Sequence, residues 1–295
     1  MNRSRAVLAL HCAVLLFGFA GLFGKWLDAS PVFIVLGRTL VAAAALAAVR
    51  ALRREPRPPF DWRLAAAGLA LALHWVSFFA AIQVASVAIG LLGYASFPLF
   101  VLVLERVLLG QRWGRREAAT AGLVLAGLLL LVPDFTWASR TVQGLAWGTL
   151  SGFTFALLAV LNRRIAADRP AADVAFWQNA LAAVALVPVA VAAGAVPAIG
   201  VREIGLVLAL GVLCTAVAHT LFIAALRTVT AHTASVVAAL EPVYGSALAF
   251  ALLGEVPGAR TLVGGALIVG AAAFATRGAA RGAADAAAPI RRRTG

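Results

Sequence analysis

The sequence predicts an all-α integral membrane protein in which ten transmembrane helices form two inverted five-helix repeats, with both termini in the cytoplasm. Hydrophobic residues make up 63% of the 295 residues and charged residues 13%, whereas soluble domains average roughly 45–50% and about 25%. Apolar runs long enough for a bilayer core recur along the whole chain. This composition excludes a soluble fold, and runs such as Gly122–Val132 lack the alternation of an outer-membrane strand.

The apolar runs are separated by charged residues or by proline and glycine. The first run follows Arg3 and Arg5 as a signal peptide would, but it is long, lacks a convincing cleavage site and leads into further spans. We therefore expect it to be the first transmembrane helix. The predicted spans cover residues 6–26, 32–49, 64–82, 85–104, 116–132, 143–161, 173–193, 203–226, 231–253 and 259–276.

The distribution of basic residues predicts the orientation. Twenty of the 25 Lys and Arg residues fall in segments that are cytoplasmic when the N-terminus is inside, and four fall in outside loops. Because Lys and Arg in short loops stay on the cytoplasmic side, we expect a multi-pass protein of a bacterial-type inner membrane. The same distribution accounts for the net charge of +13. A lipid bilayer is therefore the expected partner, and nucleic acid is not.

The second half of the chain repeats the first. Residues Phe79–Gln111 align without gaps on Ile223–Glu255, so that Pro98 pairs with Pro242. The predicted repeats are residues 1–138 and 139–295, the second with a short basic tail. Because each repeat has an odd number of spans, the two copies enter the membrane from opposite sides. Inverted repeats of this kind are typical of transporters, whose substrate site lies near the middle of the membrane.

Ionisable side chains inside spans are candidates for function because they are costly to insert. Glu241 lies about halfway along the ninth span and precedes Pro242, which is expected to free a backbone carbonyl one turn earlier. The carboxylate could bind a cation, a proton or a substrate ammonium, or it could only hold a helix junction together. Pro98, the repeat mate, follows Phe97, so carboxylate chemistry is expected in one repeat only.

Two basic residues also need an explanation. Arg38 lies too deep in the second span for its side chain to reach the outer surface easily. It could attract a substrate carboxylate, or it could form a structural ion pair or bond backbone carbonyls. Lys25 and Asp28, at the outer end of the first span, are either a gate pair or ordinary interface residues. Candidate gating or helix-breaking residues are therefore Lys25, Arg38, Pro98 and Pro242.

Imidazole and aromatic groups recur at equivalent places of the two repeats. His74 and Trp75 lie near the middle of the third span, with Phe78 on the same helical face. The repeat pairs Trp75 with His219 and Phe78 with Phe222. Either histidine could contact substrate or carry a proton, and packing is the competing interpretation. Further aromatic candidates for a cavity lining, rather than for plain helix packing, are Tyr94, Phe97, Phe153, Trp177 and Tyr244.

Four segments carry a resemblance to a known family: FGFAGLFGKWL (Phe17–Leu27), FPLFVLVLERVLLGQR (Phe97–Arg112), GTLSGFTFALLAVLNRRI (Gly148–Ile165) and LEPVYGSALAFALLGE (Leu240–Glu255). They resemble the EamA-type family of the drug/metabolite transporter superfamily, most closely its YddG-type exporters of aromatic and other neutral amino acids. The resemblance covers nearly the whole chain and is most specific where Glu241 and Pro242 precede Gly254 and Glu255 at the family's spacing. It departs from the family at residues 17–20 and at Gln111.

The resemblance implies ten helices around a central cavity and export of small metabolites. We therefore expect an alternating-access carrier for aromatic or neutral amino acids, with no catalytic residues, metal or cofactor. No ATP-binding loop of the GxxxxGK[ST] type occurs in the sequence, and proton coupling and facilitated diffusion both stay open. The alternative is a multidrug or cationic-compound efflux carrier. An integral-membrane enzyme is less favoured, because the acids are scattered singly and no G-x-S-x-G motif occurs.

Overall fold

A computed structural model of the protein describes residues 3–55, 60–109, 114–132, 136–165, 169–194, 200–226, 228, 237–238, 240–271 and 274. Its regular secondary structure is helical throughout these residues, as the sequence predicts. The helices are α1 (Arg3–Ala20), α2 (Phe23–Trp26), α3 (Pro31–Leu52), α4 (Arg63–Val84), α5 (Val87–Tyr94), α6 (Phe97–Leu109), α7 (Arg115–Leu131), α8 (Arg140–Ile165), α9 (Ala171–Ala193), α10 (Val201–Gly211), α11 (Ala218–Leu226), α12 (Glu241–Leu253) and α13 (Ala259–Ala271).

The described helices match the predicted spans in order. Six helical stretches are long and apolar enough to cross a membrane, judged by length and composition. Four shorter apolar helices, Val87–Val101, Ala119–Leu131, Glu241–Leu253 and Ala259–Ala271, lie where the remaining spans are predicted. A membrane-embedded helical protein is thereby supported, whereas the count of ten crossings and the orientation stay predictions.

Both prolines of the repeat lie in the first turn of a helix. A turn at Ala95 and Ser96 separates α5 from α6, and Pro98 is the second residue of α6. Likewise α12 begins at Glu241, with Pro242 in its first turn. Proline is tolerated there because the first N–H groups of a helix have no partner within the helix. Glu241 is thus at the start of a described helix rather than halfway along one, and residues 229–236 lie outside the described part.

The eighth predicted span contains an irregular turn. Residues Val212–Val217 form a π-helical segment between α10 and α11. A π-helical turn has wider hydrogen bonding than an α-helix and is frequent at functional sites. Here it packs against α3, and the next section describes the side chain that it receives.

Close helix contacts depend on small residues. The helix α1 packs against α11 and α12, and at Gly18 the two backbones meet so closely that a β-carbon would lie 2.8 Å from the amide nitrogen of Gly245. Small residues permit this approach in membrane helices. The helix α4 packs against α8 and α9, and its buried face carries most of the aromatic core.

Candidate functional site

Four titratable side chains from different helices are buried inside the bundle. Arg38 on α3 is 1% exposed, and His74 on α4, His219 on α11 and Glu241 on α12 are also buried. Burying a charged side chain costs free energy, and in a membrane protein the surrounding lipid supplies no water to solvate the charge. These residues are therefore the natural starting point for a candidate site.

Arg38 is held by the π-helical segment. Its Nε donates to the hydroxyl of Thr215 at 2.9 Å, and its Nη2 donates to the carbonyl of Cys214 at 3.3 Å. The Thr215 hydroxyl in turn donates to the carbonyl of Leu210 at 2.8 Å. The guanidinium also lies over the indole of Trp75, with Cζ 3.8 Å from the ring centroid. Hydrogen bonds and a cation–π contact thus fix its position.

The charge of Arg38 has no directly contacting acid. None of the ion pairs among the described residues includes it. Glu241 is close enough to Arg38 for an electrostatic interaction, and its carboxyl group lies near the Tyr94 hydroxyl. Glu241 also lies in the first turn of α12, where the partial positive charge of a helix N-terminus favours an anion. The site therefore holds a guanidinium and a carboxyl group on different helices, without an ion pair between them among the described residues.

His74 lies in an aromatic cluster. Its Nδ1 is 2.8 Å from the hydroxyl of Ser151 and 3.1 Å from the carbonyl of the same residue. Phe97 joins the cluster by stacking on Tyr94, with 5.5 Å between ring centroids. The rings that surround the imidazole, at 5.0 to 6.4 Å between centroids, are Trp75, Phe78, Tyr94 and Phe155.

His219 contacts the same indole as Arg38. Its ring centroid is 6.1 Å from that of Trp75, in an edge-to-face arrangement. The Nδ1 atom of His219 is buried and has no hydrogen-bonding partner among the described residues. Buried polar atoms normally have a partner, so this atom has capacity for a group that the described residues do not provide.

The remaining aromatic candidates lie apart from this cluster. Phe153 is 39% exposed and contacts Phe100. Trp177 packs against Phe60 and Phe176. The structure therefore places Phe153 and Trp177 apart from the group formed by Arg38, His74, Trp75 and His219.

Two further candidates pack against α1. The Tyr244 hydroxyl is 3.0 Å from Nδ1 of His11. Phe222 contacts Phe17, with 5.7 Å between ring centroids. Both rings border a small apolar cluster formed by α1, α11 and Val237. They are therefore not part of the group of side chains around Arg38.

Lys25 lies at the end of the bundle that is predicted to face outside. Its Nζ donates to the carbonyl of Ala85 at 3.0 Å, which joins the short helix α2 to the turn between α4 and α5. Asp28 is exposed at the same end. A gating role for Lys25 stays a prediction.

Sequence reasoning missed two residues that hold the site together. Thr215 anchors Arg38, and Ser151 is the hydrogen-bonding partner of His74. A single hydroxyl in an apolar run is too common to attract attention. The usable signal was the spacing of Thr215 and His219, which places two polar side chains one turn apart along a mostly apolar span.

Metal binding has no support in the described part of the chain. Within those residues, no group of three His, Cys, Asp or Glu side chains is arranged to hold a metal ion. The chemistry that the site offers is instead a guanidinium, a carboxylate and an unpartnered imidazole nitrogen beside aromatic rings. Such a set can bind a small molecule with both polar and apolar parts.

Comparison with known proteins places these residues in a family context. The model of the EamA-like transporter family matches residues 4–132 and again residues 142–277. An uncharacterized transporter of Archaeoglobus fulgidus is 29% identical over 201 residues, which is 68% of this chain and 71% of that protein. The pseudopaline exporter of Pseudomonas aeruginosa is 30% identical over 203 residues, 68% of this chain and 70% of that protein.

Similarity to a solved structure extends over almost the whole chain. A crystal structure of a protein superimposes with a TM-score of 0.68 at 26% sequence identity. The similarity covers 95% of this chain and 99% of that one. The arrangement of helices is therefore shared with an experimentally determined structure.

Proposed function

The chain belongs to the EamA-like transporter family, and from that premise we propose that it is a secondary carrier that exports small amphipathic metabolites of the amino-acid type. Its membrane-embedded, multi-pass character and its class as a transporter follow from the family. The proposal adds the substrate class, the direction and an inner-membrane location. Export is supported by the name of one relative, the pseudopaline exporter, whose substrate we do not transfer to this chain.

One observation carries the proposal most directly. Arg38, Glu241 and two histidines are buried where helices from both predicted repeats meet, against the aromatic rings of α4 and its neighbours. Charged side chains at membrane depth are costly and mark substrate pathways. An amino acid offers a carboxylate, an ammonium and an apolar side chain, which match the guanidinium of Arg38, the carboxyl group of Glu241 and the aromatic surface.

The transport cycle would follow from the inverted repeat. The family model matches two segments, 4–132 and 142–277, which supports two related halves. Their placement with both termini in the cytoplasm is proposed from the distribution of Lys and Arg. Transporters of this architecture expose a central site alternately to each side as the halves move. The turns at Pro98 and Pro242, where α6 and α12 begin, are the proposed points of flexure.

Transport by purified protein in liposomes tests the proposal. We expect protein-dependent flux of labelled tryptophan, phenylalanine or leucine that Trp75→Ala reduces at least about tenfold, as the loss of a buried aromatic anchor predicts. Trp137→Ala is the matched control because Trp137 is 66% exposed. Absence of flux for every amino acid would overturn the proposed substrate class, with the family assignment unchanged.

Coupling is tested in the same liposomes with and without an imposed pH gradient. If protons drive export, the gradient should accelerate flux, and Glu241→Gln should abolish that acceleration because a neutral amide cannot exchange a proton. Glu55→Gln is the control, since Glu55 lies at the far end of α3 beyond the span. Equal flux through the wild-type protein with and without the pH gradient would favour facilitated diffusion.

A second candidate function is efflux of cationic compounds, which the burial of Glu241 beside Tyr94 favours. A carboxylate next to an aromatic ring suits an organic cation. The two functions separate in cells challenged with ethidium. Loss of dye resistance in Glu241→Gln, with amino-acid export intact, would favour cation efflux over amino-acid export.

A further inference from the structure

We propose that Arg38 and His219 together bind the carboxylate of the transported molecule, so that the substrate is a zwitterion whose acid end faces α3 and α11. This inference rests on the proposed function and deepens it, because it gives each end of the substrate a place. The site so defined consists of Arg38, His219, Trp75 and Thr215, and is called the carboxylate subsite below.

The first step is the hydrogen-bonding capacity of Arg38. A guanidinium has five N–H donors, and within the described residues it makes two hydrogen bonds, both to neutral acceptors of the π-helical segment. None of the ion pairs among those residues involves it. A buried cation held by neutral groups alone favours an incoming anion, since charge-assisted hydrogen bonds are about twice as strong as neutral ones.

The second step is the unpartnered nitrogen of His219. His219 follows Thr215 by one turn, and Thr215 is the residue that anchors Arg38. Both Arg38 and His219 contact the indole of Trp75. The Nδ1 atom of His219 is buried and has no hydrogen-bonding partner in the described part of the chain, and in the tautomer that carries a proton there it donates. A carboxylate has two oxygens, so it can accept from the guanidinium and the imidazole together.

The third step is the charge balance of the whole cluster. Arg38 and Glu241 interact electrostatically without forming a contact ion pair, and the Tyr94 hydroxyl lies beside the Glu241 carboxylate. An anion without an ammonium would satisfy Arg38 but offer no donor to the Glu241 carboxyl group. A zwitterion complements both groups, with its ammonium toward Glu241 and its side chain against the aromatic cluster around His74.

The experiment compares two ligands that differ only at the acid group. Unlabelled phenylalanine and phenylalaninamide compete with labelled phenylalanine in liposomes, below neutral pH so that the amine of the amide stays protonated. In the wild-type protein the amide should compete at least about tenfold more weakly, because it leaves the buried cation without its charged acceptor. Equal competition by acid and amide would overturn the carboxylate subsite while leaving amino-acid export standing.

Variants then assign the preference to named residues. Arg38→Gln and His219→Leu should each weaken competition by phenylalanine several-fold and leave competition by phenylalaninamide nearly unchanged, so that the preference for the acid shrinks. If Arg38 or His219 had only a structural role, its variant would weaken competition by phenylalanine and by phenylalaninamide to the same extent. Arg202→Gln is the control, because Arg202 is exposed and paired with Glu203. If Arg38→Gln does not fold, the wild-type comparison and His219→Leu still decide the question.

Different experimental results would overturn the proposed function and the carboxylate subsite. Liposomes that move none of the labelled amino acids would overturn both the proposed function and the carboxylate subsite. Liposomes that move phenylalanine, with an acid preference that survives in His219→Leu and Arg38→Gln, would overturn only the subsite and place acid recognition elsewhere in the protein.

Discussion

The carboxylate of Glu255 accepts a hydrogen bond from the backbone N–H of Val87 at 2.9 Å. Glu255 follows α12, and Val87 is the first residue of α5. Arg140, the first residue of α8, donates to the carbonyl of Val84 at 2.7 Å beside the same turn. Contacts between the two predicted repeats therefore converge on the connection between α4 and α5.

Removing the Glu255 carboxylate should lower stability. In Glu255→Ala the buried Val87 loses the partner of its N–H, and we expect a loss of about 1 kcal/mol. Glu255→Gln keeps an oxygen acceptor and should lie close to the wild type. The thermal unfolding midpoint of each purified protein in detergent ranks the stability of the wild type and the variants. Asp28→Ala removes an exposed acid at the same end and should have no effect; equal midpoints for all three variants would contradict the assigned role of Glu255.

Adding one methyl group at the contact between α1 and α12 should be destabilising. A β-carbon at Gly18 would lie 2.8 Å from the Gly245 nitrogen and 3.2 Å from the Glu241 carbonyl. Gly18→Ala should therefore cost about 1–3 kcal/mol, as overpacking does, and should reduce transport because it displaces Glu241.

The matched control for Gly18→Ala is Gly122→Ala on α7, where a β-carbon meets nothing within 4 Å. Because alanine favours helix more than glycine does, this variant should be neutral or gain up to about 1 kcal/mol. Thermal unfolding and liposome flux measure both variants. A stable, active Gly18→Ala protein would show that α1 and α12 are not as close as described.

The ion pair between Arg50 on α3 and Asp173 on α9 should contribute strongly to stability. The side chains are 12% and 9% exposed, and Arg50 also contacts Glu55, so neutralising Asp173 removes one charge-assisted contact of Arg50, which is worth about 1.5–3 kcal/mol. Asp173→Asn should therefore unfold at a clearly lower temperature. The comparison is Asp61→Asn, which breaks the more exposed pair with Arg169 and should cost about 1 kcal/mol or less. Equal losses would argue against the burial of the Arg50 pair.

Thr215 should act on transport through the position of Arg38. Its hydroxyl accepts from Nε of Arg38 at 2.9 Å, so Thr215→Val removes the acceptor while keeping the volume. We expect a KM for the transported amino acid raised about tenfold or more. Thr215→Ser restores the hydroxyl and should recover most of the affinity. If the serine variant is as defective as the valine variant, the methyl group rather than the hydroxyl matters at this position.

The predicted membrane class and the positions of the spans agree with the helices because both depend on local properties of the chain. Apolar length is a property of each run by itself, and proline restricts its own turn whatever surrounds it. The starts of α6 at Phe97 and of α12 at Glu241 were not predicted, since the predicted spans 85–104 and 231–253 run through Pro98 and Pro242. The irregular turn at Val212–Val217 was not predicted either, since it contains neither proline nor glycine to interrupt an ordinary α-helix.

The candidate site was also predicted only in part from the sequence. The polar groups Arg38, His74, His219 and Glu241 stand out in the sequence because a charge or an imidazole in an apolar run is conspicuous and costly. Their partners do not stand out: Ser151 contacts His74 across 77 positions of the chain, and Thr215 contacts Arg38 across 177. Phe153 shows the converse, since an aromatic residue within a span can face outward.

By itself, the sequence determined that this protein is a helical membrane protein with internally repeated halves and a few costly polar groups inside its spans. The tertiary structure decided which of those groups meet, which aromatic rings surround them and that the Arg38 charge is held by neutral acceptors. The physical reason is that insertion energy belongs to each residue and its immediate neighbours along the chain. The direction in which a helix turns its side chains is instead set by packing against helices distant in sequence.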